Sequence, residues 1–192
     1  MKKDVKRVEA IYKRKSTRAF QNKPIFNSTL YEIIQAGTKA PASGNMQPWE
    51  FIIIDQVKMK KRVLEQTFSG FYSKNRNHQE WILDAGVIIV ACTNFKRTLA
   101  RYGSLAYEWA LLDTAASIQN MLLTATELGF ASCWVGGFCE KGIKHLLTIP
   151  DYVRPIGLIP IGLPSKEGFP KQKLQPEWVT HDNCYNKPFF KM

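Results

Sequence analysis

The stretch YEWALLDTAASIQNMLLTATEL, Tyr107 to Leu128, decides how this chain is read. Trp109, Leu112, Ala116, Met121, Leu122, Ala125 and Leu128 recur at helical spacing, and Gly129 is a natural stop, since glycine readily takes the left-handed conformation that ends a helix. Few charges interrupt the run. A helix with so small a polar face is covered on more than one side, by its own domain or by a second subunit.

Short apolar runs supply material to cover it. Trp49 to Ile54 and Ala85 to Cys92 read as buried strands, short, rich in β-branched residues and bounded by turn formers. Ala131 to Val135 reads as a third strand. Ile156 to Leu163 reads as a fourth, where Pro155 and Pro160 point to an edge or a bulge. An N-terminal helix is expected from the stripe Val5, Val8 and Tyr12 among Lys3, Lys6, Arg7 and Lys13. A second helix should start near Asn27 or Ser28 and stop before Pro41, with Thr29-Leu30-Tyr31-Glu32 as a capping box and Leu30, Ile33, Ile34 and Gly37 as its stripe. A short helix is expected over Lys141 to Leu147, closed by Pro150. Gln56 to Glu80 should hold helical turns and a mobile loop around Ser69-Gly70, and Asn75-Arg76-Asn77-His78 carries no readable pattern. The length fits a single domain over residues 1–192.

With 192 residues, 45% of them hydrophobic, the chain can bury a real core. Met1 to Lys15 is dense in charge and lacks the apolar run of a signal peptide, and no apolar stretch reaches the length of a membrane span, so a soluble cytoplasmic protein with no membrane partner is expected. Cys92, Cys133, Cys139 and Cys184 form neither a Cys-x-x-Cys pair nor a Cys/His cluster, which argues against zinc and iron–sulfur centres and for no metal site. A net charge of +11 attracts anions, but lysines and arginines are spread along the chain and match no nucleic-acid-binding motif, so nucleic acid is not the expected partner.

Four polar constellations remain. Arg14-Lys15-Ser16-Thr17-Arg18 gathers cations and hydroxyls just past the first helix, which suits either a charged helix end favoured by the dipole or an anion site. In Ala40 to Pro48 the prolines and glycine forbid regular structure, while Asn45 and Gln47 offer donors and acceptors together, as recognition of a planar heterocycle requires; the same composition also makes an ordinary connector. Gly136-Gly137 follows a strand and either allows a ligand close to the backbone with an amide free to donate, or forms a bulge. Lys171 and Lys173 alternate in an extended tail, either solvated or clamping a phosphate with Arg14. His78, His145 and His181 lie far apart, and no nucleophile–base arrangement, Rossmann fingerprint or Walker loop is legible; an enzyme of this kind would rely on a cofactor for its chemistry.

These pieces occur together in order. Through Arg14 to Phe20, Ala40 to Trp49, Gly129 to Phe138, and Ile159 to Pro164 with the lysine pair after it, the chain resembles the nitroreductase family of FMN-dependent oxidoreductases over nearly its whole length. The resemblance implies an α+β fold, with a central, mainly antiparallel sheet flanked by helices, and an intertwined homodimer. A long helix would lie at its interface and a C-terminal extension would wrap the partner, as the aromatic tail Phe169, Trp178, Tyr185, Phe189 and Phe190 would need.

The resemblance also implies FMN between subunits. Arg14, Lys15 and Ser16 would meet its phosphate and ribityl chain, with Lys171 and Lys173 closing over the phosphate. Arg18 would lie at the pyrimidine end, Pro41, Ala42, Ser43, Asn45 and Gln47 of the other subunit would line the ring and ribityl, and Val135-Gly136-Gly137 would turn a backbone amide to flavin N5. Ala42 stands where a serine is common, Lys171 and Lys173 where arginines are, and Gly136 where a glutamate can stand. The implied reaction is a ping-pong transfer of hydride from NADH or NADPH through N5 to a small electron-poor acceptor such as a nitroaromatic or quinone, with no catalytic side chain. The rivals are a non-catalytic flavin-storage protein and, more remotely, a basic nucleic-acid-binding module.

Overall fold

Among the described residues four strands make one antiparallel sheet in the order β1-β2-β4-β3, with β1 Trp49–Ile54, β2 Val87–Asn94, β3 Ala131–Ser132 and β4 Val153–Gly162. The computed structural model describes residues 6–69 and 77–190; Lys3, Val5, Gly70, Asn75 and Arg76, named in the expectations above, lie outside them. Strand β2 is buried on both faces, as a continuous apolar run demands, and the alternation of its side chains divides the core in two. Ile88, Val90 and Cys92 join Val63, Ile82, Ile143 and Leu158 on one face, while Val87, Ile89 and Ala91 join Ile33, Ile118, Met121 and Leu122 on the other. Helices α3 Val57–Leu64 and α6 Glu140–Leu146 therefore cover one side, and α2 Asn27–Thr38 and α5 Ala106–Glu127 the other.

Helix α5 is the long apolar helix of the sequence. It buries Ala110, Thr114, Ser117, Ile118, Met121 and Ala125 against the sheet and α2, yet Leu112 stays 67% exposed and Tyr107 is 52% exposed. Gly37 lets α2 come close, since a Cβ there would stand 2.8 Å from Met121 Cγ. A buried relay ties α5 to the sheet: Thr93 Oγ1 in β2 donates to Thr114 Oγ1 at 2.9 Å, and Thr114 Oγ1 donates to Ala110 O at 2.8 Å.

Several expectations change. Helix α1, Glu9–Lys13, buries only Ala10, so Val8 and Tyr12 face outward with Ile11; small Ala10, rather than the bulky stripe, fits against α5. Helix α2 starts at Asn27 after an extended Phe26, which puts Thr29 to Glu32 inside the helix, where they cannot form a capping box. The third strand pairs only over Ala131–Ser132, and Val135 returns as a single bridge to Leu158. Strand β4 lies between β2 and β3 rather than at an edge; its Pro155 sits opposite Cys92 where the register shifts, so the bulge reading of that proline stands. Helix α4, Phe95–Tyr102, was not anticipated; its buried residues are only Phe95 and Thr98. The tail beyond Pro164 has one short 3-10 turn, Pro176–Trp178, and leaves Phe169, Leu174 and Tyr185 exposed.

The relay gives a direct test of how α5 is held. Thr114→Val leaves the buried Thr93 hydroxyl with no acceptor and should lower stability in urea unfolding by about 1–3 kcal/mol. The double variant Thr93→Val/Thr114→Val removes both hydroxyls and should lose clearly less than the two single changes summed.

Candidate functional site

The basic run is a strap, not a helix end. Helix α1 stops at Lys13, and Arg14 turns extended with ψ 131°. Ser16 then pairs in parallel with Ser132, and Thr17 N donates to Ser132 O at 3.0 Å. On the strap's far side Phe20 pairs with Pro164, Gln21 N donates to Leu163 O at 3.0 Å, and Ser165 N donates to Ala19 O at 3.1 Å. An extended segment alternates its side chains, so Thr17 is buried while Ser16 and Arg18 stand exposed.

The tail doubles back over this strap. Lys15 Nζ donates to Gly168 O, and residues 14–19 together with Lys166, Glu167, Gly168, Phe169, Pro170, Lys171 and Lys173 enclose a cavity of about 320 Å³. Arg14, Lys15, Arg18, Lys166, Lys171 and Lys173 face one carboxylate, Glu167, on its walls, and none of these cations is ion-paired among the described residues. So many like charges around one space repel, and an anion between them removes that cost. The structure brings together Arg14, Lys15, Ser16, Arg18, Lys171 and Lys173 as the sequence suggested, and adds Lys166.

Arg18 also lines a second cavity, of about 350 Å³, with Gln79, Trp81, Cys133, Trp134 and Val135-Gly136-Gly137. Its guanidinium lies 5.9 Å from the centroid of the Trp81 ring. The two glycines on the wall differ. A Cβ at Gly137 would stand 2.4 Å from Phe68 O, because Phe68 N donates to Gly137 O at 2.9 Å and the two segments run side by side. A Cβ at Gly136 would meet nothing within 4 Å. Among the described residues, neither the Gly136 nor the Gly137 N–H has a hydrogen-bond partner, so the turn offers free backbone donors. Burial pushes the Cys133 thiol's pKa up against the opposing pull of Arg18, which keeps it protonated and places no thiolate nucleophile here.

The Pro41 to Pro48 loop is fixed by different elements. It contains one 3-10 turn, Ser43–Asn45, and Gly44, Asn45 and Gln47 have φ of 53°, 59° and 48°. Left-handed backbone at a residue such as Gln47 persists only where the surroundings enforce it. Here Ser43 N and Oγ donate to the two oxygens of buried Asp113 at 2.9 and 3.1 Å, Arg97 Nη1 donates to Gln47 O at 2.7 Å, and Arg101 Nη1 donates to Gly44 O at 3.3 Å. The Ser43 hydroxyl, expected at a ligand, thus spends its proton on Asp113. Gln47 Nε2 donates to Asn45 Oδ1 at 3.2 Å, so the two exposed amides form a pair. Neither strap cavity includes Pro41, Ala42, Ser43, Asn45 or Gln47, and a single chain keeps these residues apart from Arg14 to Arg18.

Sequence reasoning missed Asp113, Arg97, Gln79 and Trp81. Asp113 carried a signal: it is a carboxylate within the apolar helix, away from Glu108 and Glu127 at its ends. No cluster of three or more His, Cys, Asp or Glu suited to a metal occurs among the described residues, and no described helix is long and apolar enough to cross a membrane.

The model of the nitroreductase family matches residues 11–163, which include the strap and the glycine turn but not Lys171 and Lys173. A candidate NADH dehydrogenase/NAD(P)H nitroreductase of Archaeoglobus fulgidus is 29% identical over 164 residues, covering 83% of this chain and 86% of that protein. The crystal structure of a nitroreductase family protein from Clostridium novyi NT is 29% identical with a TM-score of 0.72, over 96% of this chain and 97% of that one. The structure of the NADPH:FMN oxidoreductase of Vibrio harveyi complexed with NAD+ shares the fold, with a TM-score of 0.80 at 22% identity over 94% of this chain and 78% of that one.

The difference between the glycines is measurable. Gly137→Ala drives a Cβ into the Phe68 carbonyl and should cost about 1–3 kcal/mol in denaturant unfolding. Gly136→Ala, with open space and no left-handed φ, should stay within about 0.5 kcal/mol of the parent.

Proposed function

This chain belongs to the nitroreductase family, and we propose that it is an oxidoreductase that holds FMN along the strap. It would use NADH or NADPH to reduce a small electron-poor acceptor such as a nitroaromatic or a quinone. The observation that carries this reading is the sharing of Arg18 by two cavities, one ringed by cations and one walled by aromatic rings and a turn with free amides. An elongated ligand with a phosphate at one end and a planar heterocycle at the other matches that pair of environments.

In this reading Arg14, Lys15, Ser16, Lys171 and Lys173 hold the phosphate end. Their charge-assisted bonds are stronger than neutral ones, though the lysines lack the bidentate fork of arginine. Arg18 puts positive charge beside the ring, where reduction adds negative charge, and the Gly137 N–H offers a donor to the ring edge. Flavin, when bound, supplies the hydride-accepting and hydride-donating chemistry. No side-chain acid or base is required, and His78 is already engaged, its Nδ1 lying 2.8 Å from Thr67 O.

The reading includes a homodimer. Tyr107 and Leu112 on α5, and Phe169, Trp178 and Tyr185 in the tail, stay exposed in one chain and call for an apolar cover. In a dimer, Pro41, Ala42, Ser43, Asn45 and Gln47 of one subunit would meet the strap of the other. The activities named for the Archaeoglobus and Vibrio proteins add support from outside this chain.

The purified protein should be yellow or become so with FMN, and should bleach when NADH or NADPH is added without oxygen. A protein that stays colourless after reconstitution would sink the reading, and a yellow one that never bleaches would favour flavin storage. Arg14→Ala and Lys173→Ala should each weaken FMN by about tenfold, or ~1.4 kcal/mol, while leaving riboflavin within about twofold. Equal losses for both ligands would refute the phosphate assignment.

A further inference from the structure

We infer that Gln79 is a positioning residue for this reaction: its side-chain amide clamps the glycine turn so that the Gly137 N–H stays presented in the cavity shared with Arg18. The inference rests on the FMN reading above but begins from bonds within the chain. Gln79 Nε2 donates to Gly137 O at 3.1 Å and to Phe68 O at 2.9 Å, which uses both hydrogens of the amide. Gly137 O also accepts from Phe68 N at 2.9 Å, so one carbonyl is fixed by two donors from different segments.

The clamp is itself anchored. Gln79 N donates to Thr67 Oγ1 at 3.0 Å, and that hydroxyl, on a residue only 3% exposed, donates on to Leu64 O at 2.7 Å at the end of α3. Thr67 also pairs with Phe138, the residue after the turn. Gln79 thus links a rigid helix end to two glycines that lie between the Val135–Leu158 pair on one side and the Cys139 N to Gln66 O bond of 2.7 Å on the other. Without a Cβ, Gly136 and Gly137 can rotate into many conformations, and only the Phe138 N to Gly136 O bond of 3.2 Å closes the turn from within. Losing the clamp leaves the free N–H attached to a turn that samples other orientations. An error of that kind costs rate rather than binding, because the phosphate end of the ligand is held elsewhere.

The test uses Gln79→Met, which keeps length and removes both donors, and Gln79→Glu, which keeps shape but at neutral pH offers only acceptors to two carbonyl oxygens. In the protein without FMN, amide hydrogen exchange at Phe138 should quicken by about tenfold in both variants, with the urea midpoint close to the parent's. With FMN, the dissociation constant should stay within about threefold, while the limiting rate of anaerobic reduction by NADH or NADPH falls about tenfold or more and the nucleotide KM holds. Lowering the pH should recover part of the rate in Gln79→Glu, whose protonated acid can donate once, and none in Gln79→Met.

Unchanged Phe138 exchange, an unchanged reduction rate in a folded FMN-loaded variant, or a loss of rate that merely follows loss of FMN or of stability would each overturn the inference. If the parent protein takes up no FMN, the functional reading fails on that result alone, and the exchange measurement still decides whether Gln79 clamps the turn.

Discussion

An extended cationic segment needs backbone pairing to fix it in the fold, and here the pairing comes at its middle and just beyond its end. Within the Arg14 to Arg18 strap Thr17 N donates to Ser132 O, and just past it Gln21 N donates to Leu163 O and Ser165 N to Ala19 O. The backbone is tied at the middle of the segment and at its exit, while the cationic side chains project from it. Arg14, Lys15 and Arg18 are therefore gathered by hydrogen bonds that do not involve their charges. The repulsion among them and the tail lysines is a standing cost, and an anion that relieves it stabilises the folded state by an amount that grows with the logarithm of its concentration above its Kd.

Helix α5 makes the second half of the arrangement. Its consecutive buried residues Asp113 and Thr114 do two jobs: Asp113 fixes the Ser43 turn, and Thr114 fixes β2. The loop bearing Asn45 and Gln47 is thereby referenced to the same helix that references the sheet, while Leu112, one residue earlier, faces away from both. A cover over Leu112 would also stiffen the support of the loop.

Much of the fold was legible because strong periodicity survives tertiary packing. Strand β1 matches its expected span, and α2, α5 and α6 start and stop within a residue or two of their expected ends. Helix α4 escaped notice because FKRTLARY has too few large apolar residues to show a stripe; its inner face is Phe95 and Thr98. Val8 and Tyr12 misled in the other direction, since bulk at helical spacing is also what an uncovered surface looks like. Pro160 sits within β4 between two neighbours, a position normally denied to proline; β3 asks for pairing over only two residues, and the Pro160 carbonyl still accepts from Cys133 N at 3.2 Å. In the site, the four polar motifs could be read because each concentrates unusual residue types. Gln79 could not, being an ordinary residue, and Asp113 stood out on its helix without a partner to read; they lie 58 and 70 positions from the groups they hold, and only the folded chain reveals those partners.

The cation cavity has a floor made near the start of the chain and a roof made near its end. Residues 14–19 are synthesised before the sheet and α5, whereas Lys166 to Lys173, tied down through Lys15 and Gly168, are made only after them. Synthesis runs from the N-terminus, so the floor has its cations early but waits for Ser132 and for Leu163 to Ser165 before its backbone is paired. The anion site is therefore assembled only once the sheet that supports it is complete, and a chain cut before Lys166 would lack the roof.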